Sequence, residues 1–533
     1  MTFDATAALQ QHFGFAAFKP GQQQVIENLL AGHSAAAVFP TGAGKSLCYQ
    51  LPAQMLPGLT LVVSPLIALM KDQIDALRAR NIAAARMDSS LSADDYRQVL
   101  KRIGEGNLRL LYVAPERFNN ERFRERLHGL RVSLFAVDEA HCISEWGHNF
   151  RPDYLKLSHY ARQYGAERIL ALTATATAKV LDDICQGFDI DPQHAIRTGF
   201  YRPNLTLLTA AVDDRERDAD LLLQLRQRKP GSTIVYVTLQ RTAEELAARL
   251  HKAGFPAKAY HAGMDDTVRT AVQDWFIQSD RNIVVATIAF GMGIDKANIR
   301  YVYHYNLPKS LENYSQEIGR AGRDGEPSTC QMFYCPTDLD VLENFVYGET
   351  PTSAAVQSLI QALFQLPETF NIGVDELAGE HDIRPLVVRT LLTYLELQGY
   401  ISEGTPMYSV FQFQPLVSSA EILARFEGPR RQFLEDVFRR VRKARTWFYV
   451  DVPAIAQALR CDRQRIVRAL DYLAEQQMIE LRTAGVRLRY QRLKQPKAVA
   501  PLAQELYQRM ADREGRELER LHQVVDLVSH DGC

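Results

Sequence analysis

With 533 residues, 46% of them hydrophobic and 23% charged, the chain is too long for one core and has the composition of a water-soluble protein of three or four domains. No apolar run approaches the ~20 residues needed to span a bilayer, and the N-terminal "MTFDATAALQQHFGF" has neither a basic nor an apolar region, which speaks against membrane insertion and secretion. Seven scattered cysteines without a C-x-x-C pair argue for a reducing compartment, and a net charge of −1 withholds the bulk basicity common in nucleic-acid binders while leaving room for a local basic stripe.

Up to about residue 340, short β-branched runs such as "LTLVVSP", "LRLLYVAP", "VSLFAVDEA", "RILALTAT", "STIVYVTL" and "NIVVATIAF" alternate with helix-like segments. Runs apolar on both faces predict parallel sheets covered by helices, with ligands at the C-terminal strand ends. The strands pause at "GFYRPNLTLLTAAVDDRERD", read as a linker between two α/β domains, 1–207 and 208–345.

The first such run leads into "VFPTGAGKSLCYQLPA". Thr41, Gly42, Ala43 and Gly44 form a loop whose backbone N–H groups can turn onto phosphate oxygens at a helix N-terminus. Lys45 can reach the β- and γ-phosphates and Ser46 can ligate Mg²⁺. Phe39 stands where the general pattern has glycine. In "SPLIALMKDQ", Ser64 and Pro65 lie at a strand end where backbone and hydroxyl can meet a phosphate.

"LFAVDEAH" brings two acids to another strand end. Asp138 can hold Mg²⁺ and Glu139 can orient and deprotonate the attacking water. His141 follows on the same loop and can bond Gln316 when two domains close. Thr173 and Thr175, in "TATAT", offer hydroxyls near that interface. "QEIGRAGRDG" places Arg320 and Arg323 three apart on a helix face in the second domain. They reach the first domain's phosphates only across a closed cleft, as arginine fingers.

Beyond residue 345 two segments resemble each other, Val374–Ile401 and Val452–Ile479, with Ala378 matching Ala456, Leu392 matching Leu470 and Tyr394 matching Tyr472. Each reads as two helices and a short turn followed by a β-wing, a winged-helix-like α+β unit. The expected divisions are 346–420 and 447–495 for these units, 421–446 for a basic helical connector, and 496–533 for a helical tail. The connector carries Arg439, Arg440, Arg442, Lys443 and Arg445, readable as phosphate contacts or as a solvated helix face.

The motifs from Phe13 to Pro336, including "FGFAAFKPGQQQVI", "PTGAGKS", "DEAHCISEWGHNFRPDY", "YHAGM", "GMGIDK" and "YSQEIGRAGRDG", resemble in kind and order those of superfamily 2 helicases, and more narrowly the RecQ family of DNA helicases. The resemblance makes both α/β domains RecA-like and implies an ATP- and Mg²⁺-dependent 3′-to-5′ helicase acting on single-stranded and forked or branched DNA in repair and recombination. It implies that Phe15 and Lys19 pack on adenine, that Gln22 reads its edge, and that Asp295 contacts the ribose or phosphate side. In the aromatic-rich loop, Trp146 and Phe150 would stack DNA bases. Arg151 would hold a phosphate or reach the nucleotide, and His148 would link the loop to the second domain. A duplex translocase, an RNA helicase and a catalytically weak DNA-binding scaffold are the rival readings. The family's four-cysteine zinc module does not follow the second α/β domain, so no zinc is expected in this chain. Cys533 reads first as a free, exposed thiol at a chain end, and otherwise as the first ligand of such a module in a longer natural protein. The implied setting is cytoplasmic, or nuclear in a eukaryote; protein partners are unknown.

Overall fold

The structure, a computed structural model, describes residues 4–65, 67–88, 91, 93–119, 123–124, 127, 129–144, 151–290, 296–404, 407–443 and 447–529. The first domain is a sheet of seven parallel strands: β1 (Ala35–Val38), β2 (Leu59–Val63), β3 (Ala84–Met87), β4 (Leu110–Val113), β5 (Val132–Val137), β6 (Ile169–Thr173) and β7 (Ala195–Arg197). Their order is β3-β4-β2-β5-β6-β1-β7. Every residue of β1, β2, β4, β5 and β6 is buried, because helices cover both faces. Alternation along the strands divides the side chains between two cores. Leu61, Val63, Phe135 and Val137 enter one, and Val62, Leu134, Ala136 and Leu170 the other. Val38 pairs with Thr173 and Val137 with Ala171, so the loops after β1, β5 and β6 open on one edge.

The second domain is a sheet of six parallel strands, β8 (Leu205–Ala211), β9 (Ser232–Tyr236), β10 (Ala257–Tyr260), β11 (Ile283–Ala286), β12 (Ile299–His304) and β13 (Ser328–Tyr334), in the order β10-β11-β9-β12-β13-β8. β8 falls inside the segment expected to be a linker and crosses the expected boundary at 207. It is an edge strand whose Leu207 and Leu208 are exposed, so it lacks the burial that marks its neighbours. The true connection is residues 198–204. A long helix, Val499–Ser529, closes the chain; its Leu521 and Val524 pack with Leu307, Tyr314, Met332 and Leu342 of the second domain. Its residues from Gln508 onward therefore belong to the compact unit of the two sheets. Among the described residues no helix is long and apolar enough to cross a membrane.

The other compact unit is built on Pro351–Tyr507. Helices Val374–His381 and Pro385–Leu397 form one pair, and Val452–Leu459 and Arg463–Glu475 the other. The repeat extends to the backbone. Asp382 and Arg460 end the first helix of each pair in the left-handed region, and Gly399 and Gln477 do so after the second. Val388, Leu392 and Leu395 are buried in one pair where Ile466, Leu470 and Leu473 are buried in the other.

The two expected wings are not separate hairpins. Strands β14 (Thr369–Ile372), β15 (Ile401–Glu403), β16 (Met407–Pro415), β17 (Arg442–Lys443), β18 (Phe448–Asp451) and β19 (Ile479–Arg492) share one sheet. β19 runs unbroken through 14 residues, pairing with β16 from Ile479 to Arg487 and with β14 and β15 beyond. Within the stretch expected as the second wing, the backbone of Thr483 and Ala484 pairs with Phe411 and Val410, so cross-strand partners keep the chain extended there. The segment expected as a helical connector is helical over Gly428–Phe438 and then becomes β17.

Candidate nucleotide site and the arginine loop facing it

β1 passes into the phosphate loop through Phe39, which is fully buried. A Cβ added to Gly21 would lie 2.7 Å from the Phe39 ring, so the aromatic fills the space beneath the preceding segment and requires glycine opposite it. Gly42 (φ 84°) and Gly44 (φ 74°) take the left-handed conformation that turns the loop. Lys19 Nζ donates to Gly42 O at 2.8 Å, and Gln22 Nε2 donates to Ala43 O and Gly44 O at 3.0 and 2.9 Å. Both side chains, expected on adenine, here hold the loop's carbonyls. Phe15 remains half-exposed. Lys45 Nζ donates to Phe39 O at 3.2 Å; burial pushes its pKa down, opposed by Glu139 and Asp138. Ser46 precedes the helix Leu47–Gln50.

At the end of β5, Asp138 N donates to Val63 O at 2.8 Å, and Glu139 bends the chain with φ 52° and ψ 42°. A left-handed glutamate is strained and persists where surroundings fix it. Asp138 is fixed on three sides. Its Oδ1 accepts from Glu139 N at 3.0 Å, its Oδ2 from Ser64 Oγ at 3.4 Å, and its main-chain oxygen from Tyr154 Oη at 3.0 Å. Ser64 is buried with its hydroxyl toward Asp138, and Pro65 follows it, half-buried. Burial pushes both carboxyls up, Asp138 further through Glu139, while Lys45, Arg320 and Arg151 oppose the rise at Glu139.

His141 is buried and its pKa is pushed down to about 3 by burial, then by Arg151 and Lys45, so the ring is neutral. Its Nδ1 lies 2.8 Å from Thr173 Oγ1 and 3.2 Å from Glu139 Oε2. The histidine expected to meet Gln316 is thus tied to the threonine segment of its own domain; Gln316 is buried on the helix Leu311–Ile318.

Arg320 and Arg323, expected on one helix face, instead lie in a turn past the end of the helix Leu311–Ile318, because the helix stops at Gly319; this arginine loop of the second domain reaches the site. A Cβ on Gly319 would lie 3.0 Å from Thr41 Cβ, and one on Gly42 would lie 3.4 Å from Arg323 Cγ. Arg320 is buried, its charge acting on Glu139 and on the Tyr236 hydroxyl, and Arg323 acts on Lys45. Two domains therefore contribute opposite charges to one cleft, which is the arrangement phosphoryl transfer needs.

Trp146, His148, Phe150, Asp295, Arg445 and Cys533 lie outside the described residues. Arg151 N donates to Cys142 O at 3.1 Å, and its charge acts on Glu139 and His141, the nucleotide-side alternative for this residue. Arg439 is exposed and lies 3.9 and 3.8 Å from Glu435 and Asp436; Arg440 Nη1 donates to Asp436 O at 2.8 Å. Arg442 and Lys443 are exposed on β17, over the rings of Tyr449 and Phe448 at 5.1 and 5.7 Å. Sequence reasoning missed Tyr154, Tyr236, Arg202 and Asn204. Tyr154 was legible only as the last letter of "NFRPDY", and the other three carry no motif of their own.

Two RecA-like sheets, with a phosphate loop and acid pair on one and an arginine loop from the other, define a nucleotide-driven helicase core. Residues 19–184 match the DEAD/DEAH box helicase family and residues 217–325 the helicase conserved C-terminal domain. The probable ATP-dependent DNA helicase RecS of Bacillus subtilis is 39% identical over 398 residues, covering 74% of this chain and 79% of the relative. The ATP-dependent DNA helicase RecQ of the same organism is 43% identical over 343 residues, 64% of this chain and 58% of the relative. The ATP-dependent DNA helicase Q-like 5 of Arabidopsis thaliana is 33% identical across 97% of this chain and 57% of its own. The chain belongs to the RecQ family of ATP-dependent DNA helicases. It spans only part of the RecQ relatives, 58% of the one from Bacillus subtilis. The fold is shared with Mycobacterium smegmatis helicase Lhr bound to single-stranded DNA and AMP-PNP, at TM-score 0.52 and 21% identity over 72% of this chain and 55% of that one.

Proposed function

We propose that this chain hydrolyses ATP in a DNA-stimulated manner and uses the cycle to move 3′ to 5′ along single-stranded DNA, opening forked or branched duplexes in repair and recombination. The observation that carries the reading is the approach of Arg323 and Arg320 to Gly42 and Glu139 across the domain boundary. Glu139 positions and deprotonates water, Lys45 and the loop amides hold the phosphates, and the arginines stabilise the charge that develops on transfer. Phe15 and Lys19 pack on the adenine base and Gln22 reads its edge, while the Lys19 and Gln22 side chains also support the loop, and Asp295 contacts the ribose or phosphate side.

The hard oxygen donors of Ser46 and Asp138 suit Mg²⁺, and a cation there opposes the burial that pushes the Asp138 carboxyl up. Ser46 and Asp138 would hold the ion, which neutralises phosphate charge when bound. No zinc is needed by any of these residues.

Trp146 and Phe150 stack bases of the single strand, with His148 and Arg151 relaying the event to the second domain and the acids. The paired helices of Pro351–Tyr507 act as winged-helix-like elements on the duplex, with Arg439, Arg440, Arg442, Lys443 and Arg445 near its phosphates. Strand displacement on 3′-tailed and 5′-tailed duplexes, with Lys45→Ala as control, tests the proposal. ATP-dependent opening of the 3′-tailed duplex alone is expected. Equal opening of both, or opening by Lys45→Ala, overturns it.

A further inference from the structure

Residues 198–204, which connect the two sheets, grip the arginine loop. Arg202 donates from Nη2 to the carbonyl oxygens of Ala321 and Gly322, at 3.0 and 2.7 Å. Asn204 donates from Nδ2 to Gly322 O at 2.8 Å and Glu326 O at 3.0 Å, accepts from Arg202 Nε on its Oδ1 at 3.3 Å, and accepts from Ser328 N on its main-chain oxygen at 2.9 Å. Both polar atoms of the Asn204 side chain are thus engaged. The far side of the loop is held by Gly322 N donating to Ile299 O at 2.9 Å. Only glycine fits at the centre of this grip. Gly322 has φ +54°, and a Cβ there would lie 2.4 Å from Asn204 Nδ2 and 2.7 Å from Glu326 O.

The gripped peptides, Ala321 and Gly322, are the two residues between Arg320 and Arg323. A shift of their backbone re-aims both guanidinium groups. The same connection also touches the phosphate-loop side: Phe200, Tyr201 and Arg202 line a cavity with Pro40, Thr41, Thr175 and Gly319. It therefore contacts both halves of the nucleotide cleft.

We propose that Arg202 and Asn204 are positioning residues for the arginine loop, so that the connection between the domains sets where Arg320 and Arg323 stand relative to the phosphates. The proposal rests on reading those two arginines as nucleotide-facing. Its physical basis is that charge-assisted bonds to main-chain oxygens fix geometry well, and that a misplacement of about 1 Å at a reacting centre can cost on the order of 100-fold in rate.

The test uses the full chain and measures ATP turnover at saturating single-stranded oligodeoxynucleotide. Arg202→Gln is expected to lower kcat about 10- to 100-fold, with the KM for ATP and the melting temperature close to wild type. Arg202→Lys, which keeps one charged donor, recovers part of the loss. In a background lacking both arginines, Arg320→Ala with Arg323→Ala, Arg202→Gln should cost less than about twofold more, because residues acting through the same groups are non-additive. Equal proportional losses in both backgrounds, a change confined to KM, or normal kcat overturns the proposal. Where Arg202→Gln melts well below wild type, Asn204→Ala carries the same comparison. Full activity in Arg323→Ala defeats the finger reading itself. A slow Arg323→Ala beside fast Arg202→Gln and Asn204→Ala defeats only the positioning role.

Discussion

The hydroxyl of Tyr154 donates to the main-chain oxygen of Asp138 at 3.0 Å from a fully buried ring. Tyr154 stands on the short helix Pro152–Leu155, which follows the aromatic-rich segment, and Arg151 N closes that segment onto Cys142 O at 3.1 Å. A shift of this helix therefore changes the hydrogen bond on the peptide preceding Glu139. Tyr154→Phe keeps the ring and removes one donor, costing about 1 kcal/mol of stability. The ratio of DNA-stimulated to basal ATP turnover should fall several-fold while basal turnover holds. An unchanged ratio in a folded variant would remove Tyr154 from the coupling path.

Glu139→Gln keeps the size of the side chain and abolishes its function as a base. ATP binding, read by equilibrium titration with a fluorescent analogue, should persist, and turnover should drop by orders of magnitude. Near-normal hydrolysis would return Glu139 to a structural part, its left-handed turn serving only to end β5.

Much of the nucleotide site was legible because phosphate chemistry demands particular residues at fixed spacing. Gly42 and Lys45 were candidates because they follow a strand and because Asp138 and Glu139 follow another, and the fold sets both loops at one edge of the sheet. Contacts that depend on tertiary partners were not legible. The bonds that Gln22 makes to Ala43 O and Gly44 O follow from the folded loop and from no motif. The approach of the Ser64 hydroxyl to Asp138 joins two strand ends 74 residues apart in the chain. β8 escaped because an exposed edge strand has no buried pattern, and the separate wings failed because pairing between β16 and β19 joins distant segments. The helix pairs were legible from their repeat, since Asp382 and Arg460 need the same left-handed turn at the same place.

Arg217 and Asp338 form a buried pair in the second domain, Nη1 to Oδ1 at 2.9 Å, with Asp338 also accepting from Asn306 Nδ2 at 2.7 Å and Leu307 N at 3.2 Å. Burial pushes the Asp338 carboxyl above its ordinary 3.8, and Arg217 is the first influence opposing the rise. Arg217→Met leaves a buried carboxylate without its countercharge, a loss of about 3–5 kcal/mol. A carboxyl with a raised folded pKa costs stability once ionised. That cost is absent when both states are protonated, and it grows as pH climbs past the unfolded value toward the raised folded one. The deficit of Arg217→Met should therefore be larger at about pH 8 than at about pH 5 in urea melts. A deficit independent of pH would mean that lost packing against Tyr305, whose ring lies 4.9 Å from the guanidinium, is the main effect.

The basic run tests the duplex-binding reading of Pro351–Tyr507. Arg439 and Arg440 already face Glu435 and Asp436 on their own helix, so their charge is partly answered locally. Arg442 and Lys443 stand exposed on β17, where their described neighbours are the aromatic rings of Tyr449 and Phe448 rather than carboxylates. The two pairs should therefore differ. Replacing Arg442 and Lys443 with alanine should weaken duplex binding and flatten the slope of log K against log salt by ~0.9 for each phosphate that is no longer neutralised. Replacing Arg439 and Arg440 should flatten it less, because the cations removed there already share their charge with Glu435 and Asp436. Fluorescence anisotropy with a labelled blunt duplex across a salt series separates the two. A slope unchanged in the Arg442 and Lys443 double variant would make the run a solvated face and move duplex binding to another part of the unit.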